Sequence, residues 1–575
     1  MQLVRRFRIP ALFCAFCVLV CELISRPTVE MGISDDTPYV LMARHLAATG
    51  HIAYNAWATA MLGWQLYIGA AFIKLFGFSF TAVRMSTLLV SLATVILVQR
   101  IFVRAGITER NAVLATLTLV LSPLYLLLSV TYMSDIFGLF ATVICLYGCL
   151  RALYAATPNA TILWLCFAVA TNGFFGTARQ IAWLGILVML PSTLWLLRAQ
   201  RRVLIAGSAA TLAGALFIFA CLQWFKHQPY SVPEHIFGPT FPLFDTFFSM
   251  MCFSLVIPFL LLPIVALFLP TLRKQSPKIL AVFAILMLGY LFLGIYPSHL
   301  RGGFPLEPTM GGGGNWISVH GTHEGHHLQG KPPLFLTVPV QALITIVCFG
   351  GLLAIVLSVW NFFSQRRASI NPQPAIDSQW KQLAFLLVPY ACAYMVLLIP
   401  RAGTGWIYDR YTLEMGLVAL IFLVRYYQQR IQPQIPTAGI VLIVIMAITG
   451  VAITHNHFAL YRARVALANE LLASGIPDTS VDNGFEYNFA VELRVAGHLN
   501  EENVVFPANA SVPEPPLPAT TCKMFWHTKT PHITPIYAIS FDPNACYGPA
   551  PFAPVQYSRW LSHSPGTLYV VRSTP

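Results

Sequence analysis

The chain has 575 residues, of which 57% are hydrophobic and 10% are charged, and its mean hydropathy is +0.67. A soluble globular protein carries roughly 25% charged residues, because charge covers the surface that faces water. The composition therefore excludes a soluble enzyme, a disordered chain and a fibrous protein, and it predicts a polytopic membrane protein. The net charge is +13, and the basic residues lie in short clusters between apolar runs. Such clusters set the topology of a membrane protein and do not indicate a nucleic-acid partner.

Apolar runs of about 20 residues recur through residues 1–455 and predict an all-α membrane domain with about thirteen transmembrane helices. The first run follows Arg5, Arg6 and Arg8 and lacks a small-residue cleavage site, so we interpret it as an uncleaved anchor. Basic residues concentrate on the loops that lie on the same side of the membrane as the N-terminus. This bias predicts a cytoplasmic N-terminus and an extracytoplasmic (periplasmic) C-terminal domain. We expect the inner (plasma) membrane of a bacterium as the location.

Acidic residues and the histidines fall almost wholly on the opposite, outer side of this topology. Membrane insertion does not require such an asymmetry, because acids influence it little. It is expected if polar chemistry takes place at the outer face. The outer loops are also the longer ones, which explains part of the asymmetry without any chemistry.

The first outer loop, residues 26–79, contains helical patterns that predict interfacial helices, and Ser-Asp-Asp-Thr-Pro-Tyr at positions 34–39 begins the first of them. Pro38 suits the first turn of a helix and Gly50 suits its end, and the apolar positions between them predict a helix that lies along the membrane surface. Asp35 and Asp36 therefore stand at the start of an interfacial helix. They are either acids that complement the helix dipole or reactive carboxylates.

Two isolated charges follow further along the chain. Asp135 ends a charge-free stretch that begins at residue 111, and Arg179 interrupts another that runs from 152 to 197. An ionisable residue in such a setting is a functional-site hypothesis by default. Asp135 can equally belong to a buried structural ion pair, and Arg179 can be a loop residue that reaches the lipid headgroups.

The outer loop at residues 298–336 is rich in glycine and histidine and contains His323, Glu324 and His326. Imidazole and carboxylate groups at this density can bind zinc or another divalent metal ion. The glycine run at 311–314 would allow a mobile lid over a substrate. A flexible polar loop also accumulates histidine without binding a metal, so a divalent ion is a hypothesis for this loop and no other cofactor is indicated.

The last segment, residues 456–575, has a polar composition that differs from the rest of the chain. A helical pattern at its start and short apolar stretches after it predict a small soluble α/β or α+β domain. Cys522 and Cys546 are the two cysteines outside the apolar runs. In an oxidising compartment they could pair as a disulfide.

Motifs in the outer loops resemble the GT-C superfamily of glycosyltransferases. The resemblance is closest to the branch that holds the dolichyl-phosphate-mannose–protein mannosyltransferases and the lipid A aminoarabinose transferase. The matching residues are Asp35-Asp36-x-x-Tyr39, the segment Leu75-Phe76-Gly77-Phe78-Ser79 with Arg84, Ser134-Asp135 and Asp409-Arg410-Tyr411. That branch commonly has Asp-Glu-x-x-Tyr in the first outer loop, so Asp36 departs from its pattern. A Lys-Pro-Pro-Leu segment that some members carry in the first loop stands here at 331–334.

The resemblance implies an inverting enzyme that moves a sugar from a polyprenyl-phosphate donor to an acceptor at the outer face. The first acid of the motif is the catalytic base in that family, and Asp35 matches it. Asp36 and Asp135 are further candidate catalytic residues. The candidates for binding the donor, most of them cationic because the lipid phosphate is anionic, are Tyr39, Arg84, Arg179, Arg301, Arg401, Arg410 and Tyr411.

The sequence leaves open whether the sugar is a hexose or a pentose and whether the acceptor is a protein, a lipid or a glycan. Two other functions compete with transfer from a polyprenyl phosphate. A transporter or lipid flippase would carry charges in the middle of its spans, where substrate crosses. An O-antigen ligase or polysaccharide polymerase would use a large late loop with arginine and histidine, which residues 298–336 partly provide. The Asp-Asp-x-x-Tyr motif favours the glycosyltransferase.

Overall fold

The computed structural model describes residues 9–57, 61–233, 243, 246, 250, 256–301, 317–318, 320–322, 327–368, 378–403, 407–514 and 516–575. Within these ranges, seven helices are long and apolar enough to cross a membrane, or eight if one bent pair counts as a single span. The chain is therefore a multi-pass, mainly helical membrane protein. The total of about thirteen spans, which also counted shorter apolar runs, stays a prediction.

The helices of the membrane part differ widely in length. In chain order they are α1 (Ile9–Ser25), α2 (Asp36–Thr49), α3 (Trp64–Phe76), α4 (Phe80–Arg104), α5 (Glu109–Val120), α6 (Pro123–Ser129), α7 (Ser134–Leu153), α8 (Pro158–Phe175), α9 (Leu190–Leu196), α10 (Arg201–Lys226), α11 (Leu262–Val265), α12 (Pro277–Arg301), α13 (Val338–Ala368), α14 (Ser378–Gly403), α15 (Thr412–Arg430) and α16 (Thr437–Ala473). The helices with membrane-crossing length are α4, α7, α8, α10, α13, α14 and α16.

The bent pair is α5 and α6, whose axes differ by 70°. Pro123 is at the start of α6, where its missing N–H breaks the ladder of α5, and the Ser122 hydroxyl accepts from the N–H of Tyr125 (3.3 Å) to cap the new helix. The bend follows directly from this local sequence.

The first outer loop contains α2 and α3, as its helical patterns predict. Helix α2 ends as predicted at Gly50, which adopts a left-handed conformation (φ 77°) and donates its N–H to the carbonyl of Leu46. The apolar side chains of Val40 and Ala43 are fully buried. Protein therefore covers the face that led us to predict a helix on the membrane surface, and the interfacial location stays a prediction.

Helix α16 links the membrane part to the C-terminal region. Its 37 residues span about 55 Å at 1.5 Å per residue, well beyond the roughly 30 Å of a hydrocarbon core. Residue 456, the predicted start of the outer domain, lies inside this continuous helix. The helix is thus longer than a bilayer core requires, and its end leads into the C-terminal region.

Short strands and one helix form the C-terminal region. A small hairpin from the late outer loop precedes it, made of β1 (Ile317–Ser318) and β2 (Gly321–Thr322). The remaining elements are β3 (Val481–Asp482), α17 (Gly484–Ala496), β4 (Tyr537–Ser540), β5 (Val555–Tyr557) and β6 (Gly566–Arg572). The sheet order is β3-β4-β6-β5, with β3 parallel to β4 and the other pairs antiparallel. Cys522 and Cys546 form a disulfide, and this region combines helix and sheet as the sequence predicts.

The C-terminal region packs directly on the first outer loop. The Thr37 hydroxyl donates to the carbonyl of Glu486 (3.3 Å), and the Leu499 N–H donates to the carbonyl of Asn55 (3.0 Å). The β1–β2 hairpin joins the same assembly, because the Ile317 N–H donates to the Asp409 carboxylate (3.0 Å). Segments that are far apart in sequence therefore meet around the start of α2.

Candidate functional site

Asp35 and Asp36 are adjacent in sequence but lie in different surroundings. Asp35 directly precedes α2 and its side chain keeps 15% exposure, whereas Asp36 is the first residue of α2 and its side chain is fully buried. Successive side chains at a helix start point in different directions, so the chain can bury one carboxylate and leave the other accessible.

Asp36 forms a buried ion pair with Arg84 of α4, with Arg84 Nε 2.8 Å from Asp36 Oδ2. The Asp36 carboxylate also accepts from the backbone N–H groups of Ile33 (2.7 Å) and Tyr132 (3.3 Å). The guanidinium of Arg84 further donates to two carbonyl oxygens of the segment before α2, at 3.0 and 2.5 Å. Buried charges persist when they are paired and hydrogen-bonded in this way. The pair holds the segment before α2 against α4 and thereby fixes the position of Asp35.

Arg410 lies in the short 3₁₀ turn Asp409–Tyr411 that leads into α15. Its Nη2 is 3.2 Å from Asp35 Oδ2, and its Nε is 3.7 Å from Asp135 Oδ1. The guanidinium therefore bridges two acids from different segments, one of them 375 residues away in sequence. The first and last of the sequence motifs meet at this bridge.

Asp135 stands at the start of α7 and is almost completely buried. Its Oδ1 accepts a hydrogen bond from Arg179 Nη1, while its Oδ2 has no hydrogen-bond partner among the described residues. Gly138, one turn further along α7, lets the stem of Arg179 approach, since a Cβ there would lie 2.6 Å from the Arg179 Cδ. Arg179 itself is an extended residue between two 3₁₀ turns that follow α8.

Three guanidinium groups surround the ring of Tyr411. The guanidinium carbons lie 4.8 Å (Arg179), 5.4 Å (Arg401) and 5.8 Å (Arg410) from the centre of this ring. Arg410 also stacks on Tyr408 at 4.2 Å. Arginine side chains that rest on aromatic rings keep their charge and their forked donors, and such a group suits a phosphate.

Glu414, which was not among the residues selected from the sequence, is linked to Tyr411 through the Tyr394 hydroxyl. Glu414 is buried on α15, and the Tyr394 hydroxyl lies 3.3 Å from its Oε2. The same hydroxyl donates to the carbonyl of Tyr411 (2.9 Å). The sequence offered one signal for Glu414, an acidic residue one turn after the Asp-Arg-Tyr motif. We did not select it because it lies outside the motif.

Burial and a neighbouring positive charge have opposite effects on the pKa of Asp35. Burial raises the pKa of this carboxyl above its usual range, and the Arg410 guanidinium lowers it by less, so the pKa is raised. Burial likewise raises the pKa of Tyr39, which is close enough to feel the charges of Asp35 and Arg410. A carboxyl with a raised pKa holds a proton more firmly once it has accepted one.

A second group of buried charges lies where the C-terminal region meets α16. Glu486 pairs with Arg464 (2.9 Å) and His327 (3.3 Å) and accepts a hydrogen bond from the Tyr461 hydroxyl. Burial would raise the pKa of Glu486, but Arg464 and then His327 outweigh it and hold the pKa well below its usual range. Because Thr37 bonds to the carbonyl of the same glutamate, this group ties the C-terminal region to the start of α2.

Some predicted site residues are not part of this arrangement. Arg84 forms an ion pair with Asp36 and does not belong to the cluster around Tyr411. The predicted metal ligands His323, Glu324 and His326 and the glycine run 311–314 lie outside the described residues, as does the side chain of Arg301. Within the described ranges, no group of three His, Cys, Asp or Glu side chains could hold a metal ion.

Comparisons with known proteins found similar solved structures. ArnT from Cupriavidus metallidurans in the apo state is 14% identical, with a TM-score of 0.39, and the match covers 82% of each chain. The same protein bound to undecaprenyl phosphate gives 14% identity and a TM-score of 0.39 over 83% of this chain and 84% of that one. An oligosaccharyltransferase from Archaeoglobus fulgidus, in complex with Zn and sulfate, gives 14% identity and a TM-score of 0.39 over 79% of this chain and 55% of its own. No family model and no curated protein matches the chain.

Proposed function

We propose that this protein is a membrane glycosyltransferase that moves a sugar from a polyprenyl phosphate to an acceptor at the outer face of the membrane. One observation carries the proposal: Asp35, the accessible acid of the Asp-Asp-x-x-Tyr motif, lies beside Arg410 within a cluster of arginines. A base and a phosphate-binding group side by side are what such a transfer requires.

Asp35 is the general base in this proposal. It accepts the proton of the acceptor hydroxyl or amine as the acceptor atom attacks the anomeric carbon of the sugar. The bond between that carbon and the phosphate oxygen breaks, and its electron pair leaves with the polyprenyl phosphate. Attack opposite to the leaving group inverts the anomeric centre. The raised pKa of Asp35 supports this role, because a base whose pKa lies closer to neutral accepts the proton more readily.

Arg179, Arg401 and Arg410 bind the phosphate of the donor in this proposal. Guanidinium groups offer forked N–H donors to phosphate oxygens and neutralise charge that develops on the leaving group. Tyr411 supports the three groups through its ring. Asp135 keeps Arg179 and Arg410 in place, and its Oδ2, which no described residue hydrogen-bonds, is available to a polar group of the substrate.

Asp36 and Arg84 act indirectly, by holding the segment that presents Asp35. Tyr39 borders the site through its closeness to Asp35 and Arg410. Arg301 and the metal-binding hypothesis for His323, Glu324 and His326 remain predictions from the sequence alone. No step of the proposed transfer depends on a metal ion.

The competing functions make different use of these residues. A transporter needs charge along a path through the membrane, whereas Asp35, Asp135 and Arg410 stand at the starts of helices. One contact favours the ligase or polymerase as a second candidate: the late outer loop reaches the Asp-Arg-Tyr turn through Ile317 and Asp409. The two enzymes differ in product, since a polymerase lengthens a glycan and the proposed enzyme adds one sugar.

We also propose that the N-terminus is cytoplasmic and that residues 456–575 form an outer, periplasmic domain on the membrane domain 1–455. The Cys522–Cys546 disulfide supports this topology, because disulfides persist in oxidising compartments. A membrane-impermeant thiol reagent applied to intact spheroplasts, after mild reduction, should label these cysteines.

The proposal is tested with Asp35→Asn, which keeps the size of the side chain and removes the base. Purified protein is supplied with a radiolabelled polyprenyl-phosphate sugar and a host membrane extract, and transfer is measured. We expect transfer to fall about 10²- to 10⁴-fold, the usual effect of losing a general base. Binding of undecaprenyl phosphate, measured on the same sample, should be unchanged within a factor of about three.

Glu502→Gln is the matched control, because this acid is exposed in the C-terminal region and removal of its charge should leave transfer intact. Arg410→Gln should weaken the binding of undecaprenyl phosphate, which separates the two roles. Wild-type rates of transfer in Asp35→Asn would contradict the proposal.

A further inference from the structure

The turn that connects β5 to β6, residues 558–565, presents two large apolar side chains at the tip of a hairpin. Trp560 is 37% exposed and Leu561 is 62% exposed. Turns that face water are usually polar. Neighbouring large apolar side chains on a surface mark contact with a membrane or a partner. The structure around this turn indicates which of the two it meets.

Two residues of α16 hold the β5–β6 turn in place. The His455 ring stacks on the Trp560 indole with 3.8 Å between the ring centres, and its Nε2 lies 2.8 Å from the Ser558 hydroxyl. The Asn456 side chain accepts from the N–H of Trp560 (2.6 Å) and donates to the carbonyl of the same residue (3.1 Å). These contacts fix the turn beside residues 455 and 456 of the helix.

The length of α16 gives the depth of this contact in a bilayer. The helix begins at Thr437, and His455 lies 18 residues further along it, which is about 27 Å at 1.5 Å per residue. A hydrocarbon core is about 30 Å thick. The exposed residues between Thr437 and His455 are all apolar: Ala438, Val441, Val444, Ile445 and Ile448. Helix α16 therefore reaches the edge of the core near His455.

A second apolar helix ends at the same level. The 17 residues of α1 end at Ser25, and the carbonyl of Ser25 lies 3.2 Å from His455 Nδ1. Leu23 and Ile24, in the last turn of α1, are exposed as lipid-facing residues would be. Two apolar helices thus end beside the β5–β6 turn. Tryptophan is enriched at this boundary between hydrocarbon and headgroups.

Three arginines accompany the turn. Arg26 is exposed and directly follows α1, Arg559 precedes Trp560, and Arg462 lies seven residues beyond His455 on α16. Arg462 Nη1 donates to the carbonyl of Arg26 (3.0 Å), so these two arginines are neighbours. Among the described residues, none of the three forms an ion pair with a carboxylate. Arginines at the level of the headgroups attract anionic lipid phosphates.

The two acids nearest to Arg26 in sequence are committed to other groups. Glu30 accepts from the N–H of Phe80 at the start of α4 (2.8 Å). Glu22 is buried and accepts from the hydroxyls of Ser25 and Ser129, both at 3.1 Å. The positive charge beside the turn is therefore available to an anionic molecule from outside the chain.

We propose that the β5–β6 turn anchors the C-terminal region in the bilayer and that, with the three arginines, it forms a binding site for an anionic phospholipid. Trp560 and Leu561 enter the boundary between acyl chains and headgroups, where an indole has both apolar and polar surroundings. Arg26, Arg462 and Arg559 bind the phosphate and the headgroup. The lipid is a structural partner in the leaflet nearest to the C-terminal region, and its binding does not depend on the proposed transfer.

Insertion of the turn is tested with the photo-cross-linking residue p-benzoylphenylalanine in place of Leu561. The full-length protein is placed in nanodiscs of equal parts phosphatidylglycerol and phosphatidylcholine, and lipid adducts are identified by mass spectrometry. The control carries the same residue in place of Leu472, which is similarly exposed on α16 but about 26 Å beyond His455, outside the headgroup layer. We expect about tenfold more lipid adducts at position 561. Equal yields at the two positions, or no adduct at 561, would overturn the anchor.

The preference for an anionic lipid is tested with Arg26→Gln in the protein that carries the cross-linker at position 561. Without this substitution, we expect adducts of phosphatidylglycerol to outnumber those of phosphatidylcholine about tenfold, and Arg26→Gln should lower the ratio about fivefold. Arg572→Gln, exposed at the far end of β6 from the turn, is the control and should leave the ratio unchanged. A ratio near one before substitution, or no change in Arg26→Gln, would contradict the anionic-lipid site.

Thermal unfolding in detergent gives a second measurement without the cross-linker. A lipid that binds only the folded protein raises its Tm. Added phosphatidylglycerol should raise the Tm of the wild type by about 2 °C more than phosphatidylcholine does, and this difference should disappear in Arg26→Gln and persist in Arg572→Gln. Equal shifts with the two lipids in the wild type would also count against the site.

Discussion

A carboxylate can act as a base only if its oxygens are not already committed to other groups. Both oxygens of Asp36 are bound by Arg84 and by backbone N–H groups. Asp35 contacts Arg410 through one oxygen and keeps partial exposure. Among the candidate acids of the motif, Asp35 is therefore the one whose chemistry is still available to a substrate.

The pH dependence of transfer follows from the raised pKa of Asp35. A base must be ionised, so activity should fall as the pH drops through this pKa, and the acidic limb of the kcat/KM profile, which reports the free enzyme, should lie above the ordinary aspartate value of about 3.9. Arg410→Gln removes the charge that lowers the pKa, so the limb should move to higher pH. A pH–rate profile of both proteins at donor concentrations well below KM measures this. An acidic limb at the same pH in both proteins would show that Arg410 does not tune Asp35.

At the scale of elements, side-chain hydrogen bonds tie the segment before α2 to the start of α4, through Arg84, Glu30 and Thr81. The segment before α2 has no regular structure between residues 26 and 33, and its carbonyl oxygens accept from Arg84 instead of from a strand or helix. Buried backbone groups need such partners. The Asp36–Arg84 pair is therefore one of the side-chain supports that hold the loop that presents Asp35 in place of regular secondary structure.

Breaking this pair should destabilise the protein strongly. Asp36→Asn leaves the buried charge of Arg84 uncompensated, and loss of one partner of a buried pair costs about 3–5 kcal/mol. Arg84→Met should have a similar effect, and the double variant should lose less than the sum, because neither charge is then left alone. Thermal unfolding in detergent, followed by tryptophan fluorescence, measures the shift. An unchanged Tm in Asp36→Asn would contradict this account.

At the scale of the whole molecule, the C-terminal region completes the surroundings of the site. It contacts α2 through a hydrogen bond from the Thr37 hydroxyl to the Glu486 carbonyl. Helix α16 connects it to the membrane without a flexible linker. The membrane part and the C-terminal region are thus expected to work as one unit.

The disulfide should stabilise this region. Cys522 and Cys546 close a loop of 24 residues, and in the chain-entropy description a loop of this length contributes about 3 kcal/mol. Reduction, or Cys522→Ser with Cys546→Ser, should therefore increase proteolysis of residues 456–575 while the membrane helices stay protected. Limited proteolysis with and without a reductant measures this, and the double serine variant should show no further effect of reductant. Equal cleavage of oxidised and reduced protein would refute it.

The sequence by itself determined the class of protein and where individual helices begin and end. A charge content of 10% cannot cover a soluble surface, so a membrane protein followed from composition alone. Gly50 ended α2 where predicted, because the left-handed conformation at a helix end favours glycine locally. The motifs also contain Asp35, Asp135 and Arg410, whose side chains lie next to one another in the structure, and their role in transfer stays a prediction.

Tertiary structure decided how these residues are used. It buried Asp36 with Arg84, brought Asp35 to Arg410 across 375 residues, and covered the apolar face of α2 with protein. It also recruited Glu414 and the group around Glu486, which no motif marked. Local sequence encodes helix starts, helix ends and apolar faces, whereas the partner of a buried charge depends on which distant segment packs against it. Only the packed chain specifies that partner.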